Sequence, residues 1–255
     1  MFKKTLFGAL VLLVTGSVLH AQGASGVDPY DPSGRLSFSI QGGVIASLSE
    51  NCFSYNDNGY FSKLFTPGIA AALTYDIDRT YAVRLSVGYG KNMSGANVKQ
   101  TAVRNNNGFW PYGFKSINAF VDGIINFNGL NLVSRGFAPK IYAGLGYGHS
   151  FGFWRPEYSM MNDEDLLEYA DKFEKYHPTQ HINESNHTFG FRFGGMLEYD
   201  FKSGFGIYAD LCGEAYLDTY NGLQPWEWDH AKGSGYAGFP VDLRGILSLG
   251  MLYRF

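Results

Sequence analysis

Apolar and polar residues alternate with a period of two along eight separate stretches of the chain, the pattern of a strand with two unlike faces. These stretches run near 35–47, 67–75, 81–90, 114–127, 140–151, 188–201, 205–217 and 241–255. In the third, Tyr81, Val83, Leu85, Val87 and Tyr89 share one face; in the sixth, Phe189, Phe191, Phe193, Leu197, Tyr199 and Phe201 do. Most are longer than the globular mean of about 5–6 residues and reach the roughly 9–11 that a strand needs to cross a bilayer. The pattern predicts an all-β fold, an antiparallel up-and-down transmembrane β-barrel of about eight strands.

The connections support that reading. Asp76–Thr80 and Lys202–Gly204 are short, whereas 48–67, 91–113, 152–187 and 219–240 are long and polar. Short turns at one end and long loops at the other are the layout of an outer-membrane barrel. Residues 128–139 are the exception, a dozen residues where a short turn is expected. One helix is expected inside the third long loop, from Asp163 to Tyr176, where Leu166, Leu167, Ala170 and Phe173 recur at helical spacing before Pro178.

The residues between the apolar ones indicate which face points to lipid. Strand five offers Gly144, Gly146, Gly148 and Ser150, and strand seven offers Gly206, Asp210, Glu214 and Asp218. Small and charged side chains suit the filled interior of a narrow barrel, which puts the apolar face outside. Aromatic residues also gather where a membrane interface would lie. Tyr75, Tyr81, Phe127, Tyr199, Phe201 and Phe205, with Tyr253 and Phe255, fall near the short-turn end; Tyr89, Phe151 and Phe189 fall near the long-loop end. Two such belts match the interfacial girdles of membrane barrels.

The first residues bear on compartment. Lys3 and Lys4 precede an apolar run from Leu6 to Leu19, and a small residue, Ala21, offers a cleavage point. This is the layout of a secretory signal peptide over 1–21, with a periplasmic segment expected at 22–34 and the barrel domain at 35–255. Without Lys3 and Lys4, 18 basic residues face 23 acidic ones, a net charge of −5 that argues against a nucleic-acid partner. The two cysteines, Cys52 and Cys212, fall in a loop and in a wall and are expected to be free.

The end of the chain carries a resemblance. Leu247, Leu249, Met251, Tyr253 and Phe255 continue the apolar series at every second place. This resembles the C-terminal signal of bacterial outer-membrane barrels, which their assembly machinery reads. The chain after residue 34 is similar to the small OmpA/OmpX-like barrel family. That resemblance implies a monomeric eight-stranded barrel with both termini in the periplasm; the sequence departs from the two-domain relatives, and a peptidoglycan-binding tail is expected to be absent. The partners it implies are outer-membrane lipid and the assembly machinery, with the long loops free to meet a surface or envelope protein.

Seven inward positions carry charge: Arg84, Asp122, Arg192, Glu198, Asp210, Glu214 and Arg244. Charges in a low-dielectric interior must be paired, so these are expected to form a polar plug. If Phe201 and Phe205 face each other across Lys202-Ser203-Gly204, Arg192 and Glu214 are directly opposed. Arg244, at a similar height on strand eight, then completes a cluster with one carboxylate between two guanidinium groups. No catalytic, cofactor or metal set is assigned. His149-Ser150 and His187-Thr188 invite comparison with PagL-like lipid A deacylases, but neighbours on a strand face opposite ways and the His-x-Ser spacing of that family is missing. His177, His181 and His187 lack the spacing of a tight ligand set. The aromatic loop residues Trp110, Trp154, Trp226 and Trp228 could anchor a partner, cover the barrel mouth or touch headgroups. The expected role is structural or one of surface interaction, with a narrow channel and a lipid-modifying enzyme as alternatives.

Overall fold

A strand whose apolar residues all lie on one side can bury that side in lipid only if its backbone finds partners on both edges. The computed structural model meets this condition by closing the sheet. It describes residues 35–48, 59, 61–97, 109–127, 137–154, 185–201, 204–217, 220 and 241–255, with the side chains of 95–97 and 109–111 left aside. The strands are β1 (Leu36–Ser47), β2 (Phe65–Asp76), β3 (Tyr81–Asn97), β4 (Phe109–Asn126), β5 (Phe137–Trp154), β6 (Asn186–Asp200), β7 (Phe205–Leu217) and β8 (Val241–Arg254). Each pairs antiparallel with the next, and β8 pairs with β1, so the barrel has no free edge.

The register fixes the barrel's geometry. Directly opposed residues can be followed around the wall from Ser37 to Thr74, Arg84, Asp122, Gly144, Arg192, Glu214, Arg244 and back to β1 at Ser47. One circuit therefore climbs ten residues along β1, which is the shear of the barrel. With eight strands and ordinary strand spacings, this shear gives a tilt of about 40° and a backbone radius of roughly 8 Å. Such a cylinder has room for side chains and little else.

The alternation reads out as two faces. Leu145, Phe189 and Leu249 are 70 % exposed or more, whereas Asp122 and Glu198 are at most 2 % exposed. Among the described residues no helix is long and apolar enough to cross a membrane; the strands do so instead. The aromatic residues expected near the short-turn end stand on the outer wall: Tyr75, Tyr81, Tyr199, Phe201, Phe205, Tyr253 and Phe255 are exposed, and Phe127 is partly so. They touch in a band, with Tyr199 against Phe201 and Phe205 against Tyr253 at 5.2 and 4.9 Å between ring centroids. The apolar series Leu247, Leu249, Met251, Tyr253 and Phe255 lies on the outer face of the closing strand, and the Phe255 amide donates to the Leu36 carbonyl.

Two turns show local chemistry. Asp78 accepts from the Thr80 and Tyr81 amides between β2 and β3. Between β6 and β7, Gly204 adopts φ 82°, a conformation that a side chain disfavours, while the Phe201 amide bonds the Phe205 carbonyl. Four elements depart from the sequence expectation. Strands β3 and β4 continue past Gly90 and before Phe114, pairing as far as Asn97 with Phe109. The β3 extension, residues 91–97, is mostly polar, and a hairpin above the bilayer needs no apolar face. Strand β5 begins at Phe137 and takes up the end of the long 128–139 connection, pairing Phe137 with Tyr199. A 3-10 turn, Phe61–Leu64, precedes β2. The expected helix at Asp163–Tyr176, the leader at 1–21, the segment 22–34, Cys52, Lys202, Ser203, Trp226 and Trp228 lie outside the described residues.

Candidate functional site: the charge-filled lumen

The circuit that fixes the shear also aligns the charges. Arg84, Asp122, Arg192, Glu214 and Arg244 fall on one line of opposed inward positions, with Gly144 between Asp122 and Arg192. Basic and acidic residues thus meet without any distortion of the wall.

Asp122 is the centre of the middle tier. It accepts from Arg84 Nε at 2.8 Å, from Arg192 Nε at 2.7 Å and from Arg192 Nη2. Arg192 also donates to Ser86 Oγ at 2.5 Å. Asp210 accepts from the Tyr142 hydroxyl at 2.7 Å and lies 3.9 Å from Arg84. The guanidinium of Arg84 sits 4.1 Å over the Tyr142 ring, and that of Arg192 sits 4.5 Å over Phe120. Two cations and two carboxylates balance, and the ring faces supply further stabilisation of the cations.

The upper tier is built on Arg244. It donates to Glu214 at 2.5 Å, to Tyr220 Oη at 2.8 Å, and to Asn92 and Ser116 at 3.2 Å each. Glu214 also accepts from Tyr216 at 2.5 Å, and the rings of Tyr216 and Tyr220 stack at 3.9 Å. Tyr220 follows β7 and turns inward, where Phe114 packs edge-on against it. A bulge in β5 completes this aromatic mouth. Gly152 takes φ 59° as the extra residue opposite β4, and the shift brings Phe153 against Phe114 at 5.4 Å and Tyr112 at 6.3 Å. Trp154 instead packs over Gly113 on the other side of the wall.

The lower tier lies toward the short turns. Glu198 accepts from Lys140 Nζ at 2.7 Å and from Arg254, which also bonds Asp200 and approaches Asp76 at 3.6 Å. A small apolar layer that includes Cys212, Tyr208, Met196, Ile124 and Leu252 occupies the same inner wall, and Cys212 is free.

The seven sequence candidates are all buried, but they do not form one cluster. Glu198 belongs to the lower tier, apart from the other six. Arg192 and Glu214 are directly opposed, and Glu214 meets Arg244 closely, yet Arg192 comes no nearer to Glu214 than 3.9 Å. The carboxylate held between two guanidinium groups by direct bonds is Asp122. Gly144 explains the difference: lacking a side chain, it leaves the path from Arg192 to Asp122 open, and a Cβ there would strike the Asp122 carboxylate and the Val121 carbonyl. Lys140, Arg254, Asp76, Asp200, Tyr216 and Tyr220 escaped the sequence reading. Arg254 sits inside the C-terminal apolar series, where its inward place in the alternation was the available signal.

Space inside is limited. One void of about 40 Å³ touches Arg192, Asp210, Glu214 and Arg244, and another of about 10 Å³ touches Arg84, Ser86 and Tyr208. Each suits ordered water rather than a passing solute. Among the described residues, no group of three or more His, Cys, Asp or Glu side chains is arranged for a metal ion. His149 faces outward while Ser150 is buried inside, so these neighbours do not meet. His187, expected in a loop, is part of β6.

No family model matches the chain, and no curated protein matches it. Solved structures do. A major outer membrane protein from Thermus thermophilus is 15% identical, with 86% of this chain and 99% of that one covered and a TM-score of 0.46. Ail, the attachment invasion locus protein of Yersinia pestis, solved in complex with the heparin analogue sucrose octasulfate, is 14% identical over 88% and 99%, with a TM-score of 0.43. The outer membrane protein OprG from Pseudomonas aeruginosa is 10% identical over 88% and 98%, with a TM-score of 0.42. By its own strand pairing and its outward apolar wall, the chain is an eight-stranded up-and-down transmembrane β-barrel, the architecture of a small outer-membrane protein.

Proposed function

We propose that this protein is a non-enzymatic structural barrel of the bacterial outer membrane, a rigid plugged cylinder that holds its long loops at the cell surface for envelope integrity or surface interaction. The observation that carries this reading is the lumen: three tiers of buried, mutually bonded charges, with voids of about 40 and 10 Å³ between them among the described residues. Opening a path for ions would require breaking buried pairs, at about 3–5 kcal/mol for each carboxylate left without its partner or cation left without its own. A rigid wall suits a platform, because it fixes where the loops emerge without spending stability on motion.

Planar bilayers test this. The purified barrel should add no stepwise conductance, while loss of the protein should make cells more permeable to bile salts or antibiotics. Regular unitary conductance steps from the wild-type barrel would replace this reading with a channel.

A further inference from the structure

The pairing of β5 with β6 brings together two histidines that stand far apart in the sequence. His149 on β5 and His187 on β6 are directly opposed, with rings 4.3 Å apart between centroids and 15° from parallel. Both lie on the outer wall. The row below holds Tyr147 and Phe189, and the row above holds Phe151 beside Lys115, which itself opposes Lys91. A pair between an aromatic row and a lysine row sits at headgroup level, where water and dissolved ions reach it.

The rings lie in one column. Phe151 stacks on His149 and Tyr147 stacks on His187, giving a column of four nearly parallel rings. His149 Nδ1 lies 3.2 Å from the Asn186 carbonyl oxygen. A carbonyl only accepts, so this bond puts the proton on Nδ1 and leaves the lone pair on Nε2. His187 Nδ1 meets the Tyr147 hydroxyl, which can accept in the same way. Metal-binding imidazoles are oriented by the same second bond: one nitrogen donates to a fixed acceptor and the other binds the ion.

We propose that His149 and His187 form a two-histidine site for a divalent transition-metal ion, Cu2+ above Zn2+, on the outer wall at the outer headgroup level. Nitrogen-to-metal bonds of about 2.0–2.1 Å place two nitrogens about 2.9–3.4 Å apart for angles of about 90–109°; the in-plane lone pairs of parallel rings run side by side, so binding swings the two rings out of the stack until their Nε2 lone pairs converge on the ion. Imidazole favours copper and zinc over magnesium and calcium, and affinity rises to a maximum at Cu2+. Water fills the remaining positions, which makes the site a surface acceptor of metal rather than a closed structural centre. The site does not depend on the plugged lumen, which lies on the opposite face of the wall.

The test uses the full barrel in lipid with His177, His181 and His230 each replaced by Gln, so that the barrel domain keeps only His149 and His187. Titration with Cu2+ should saturate at one ion per barrel. Electron paramagnetic resonance should show coupling to two imidazole nitrogens, Zn2+ should compete and Mg2+ should not. Adding His149→Gln or His187→Gln should weaken binding at least tenfold and reduce the coupling to one nitrogen, with heat-modifiable migration showing that the variant has folded. Absence of stoichiometric Cu2+ binding in the parent variant, or binding unchanged by either further substitution in a folded barrel, would overturn the proposal.

Discussion

Asp122→Ala should be the most damaging single substitution in the lumen. It removes a carboxylate that accepts two bonds from Arg192 and one from Arg84, and it leaves both guanidinium groups buried. The two cations then face each other across at most about 8 Å, which at an effective dielectric of about 20 costs roughly 2 kcal/mol in repulsion. Loss of the direct pairs adds to this, while Asp210 and Glu214, each 3.9 Å from one of the two arginines, offset part of it. The net loss should be about 3–5 kcal/mol. Urea unfolding of the barrel in lipid vesicles, followed by tryptophan fluorescence and by unheated gel migration, measures it. Asp122→Asn keeps the shape and removes the charge, so it should retain at least half the loss. Removing one of the stranded cations as well, in Asp122→Ala with Arg84→Met, should recover about 2 kcal/mol by the same repulsion estimate. A loss below about 1 kcal/mol for Asp122→Ala, or wild-type stability for Asp122→Asn, would refute the reasoning.

Three further outcomes are expected. The closed sheet leaves no edge for detergent to attack, so the folded barrel should migrate differently before and after boiling, and identical migration of outer-membrane samples would count against it. Deleting Phe255 removes the last outward residue of the closing strand together with its bond to Leu36, so quantitative immunoblots of outer membranes should show a reduced level; an unchanged level would dismiss the assembly-signal reading. Gly144→Val should push Asp122 and Arg192 apart and lower stability by about 1–3 kcal/mol in the urea assay, as overpacking does, whereas Gly123→Val, where an added Cβ would meet nothing within 4 Å, should change it by less than about 1 kcal/mol.

How much of this the sequence revealed depended on the range of the interaction. Strand β7 has the expected bounds because a short turn starts it and alternation continues unbroken to Leu217. The opposition of Arg192 and Glu214 was legible for the same reason: one three-residue turn sets the register of a whole hairpin. Partners inside the lumen were not, because an arginine reaches across several strands and its choice depends on what stands in the way. Arg192 bypasses its direct opposite for Asp122 because Gly144 contributes no side chain. The inward turn of Phe153 could not be read either, since strict alternation would send it outward; one left-handed glycine reverses the faces after position 151. The histidine pair has the same origin as the charge tiers. Local alternation assigns His149 and His187 to the outer face, but only the β5–β6 register, set across a connection of more than thirty residues, puts one against the other. Periodicity therefore tells which side of the wall a residue occupies, and the register between strands decides what it meets there.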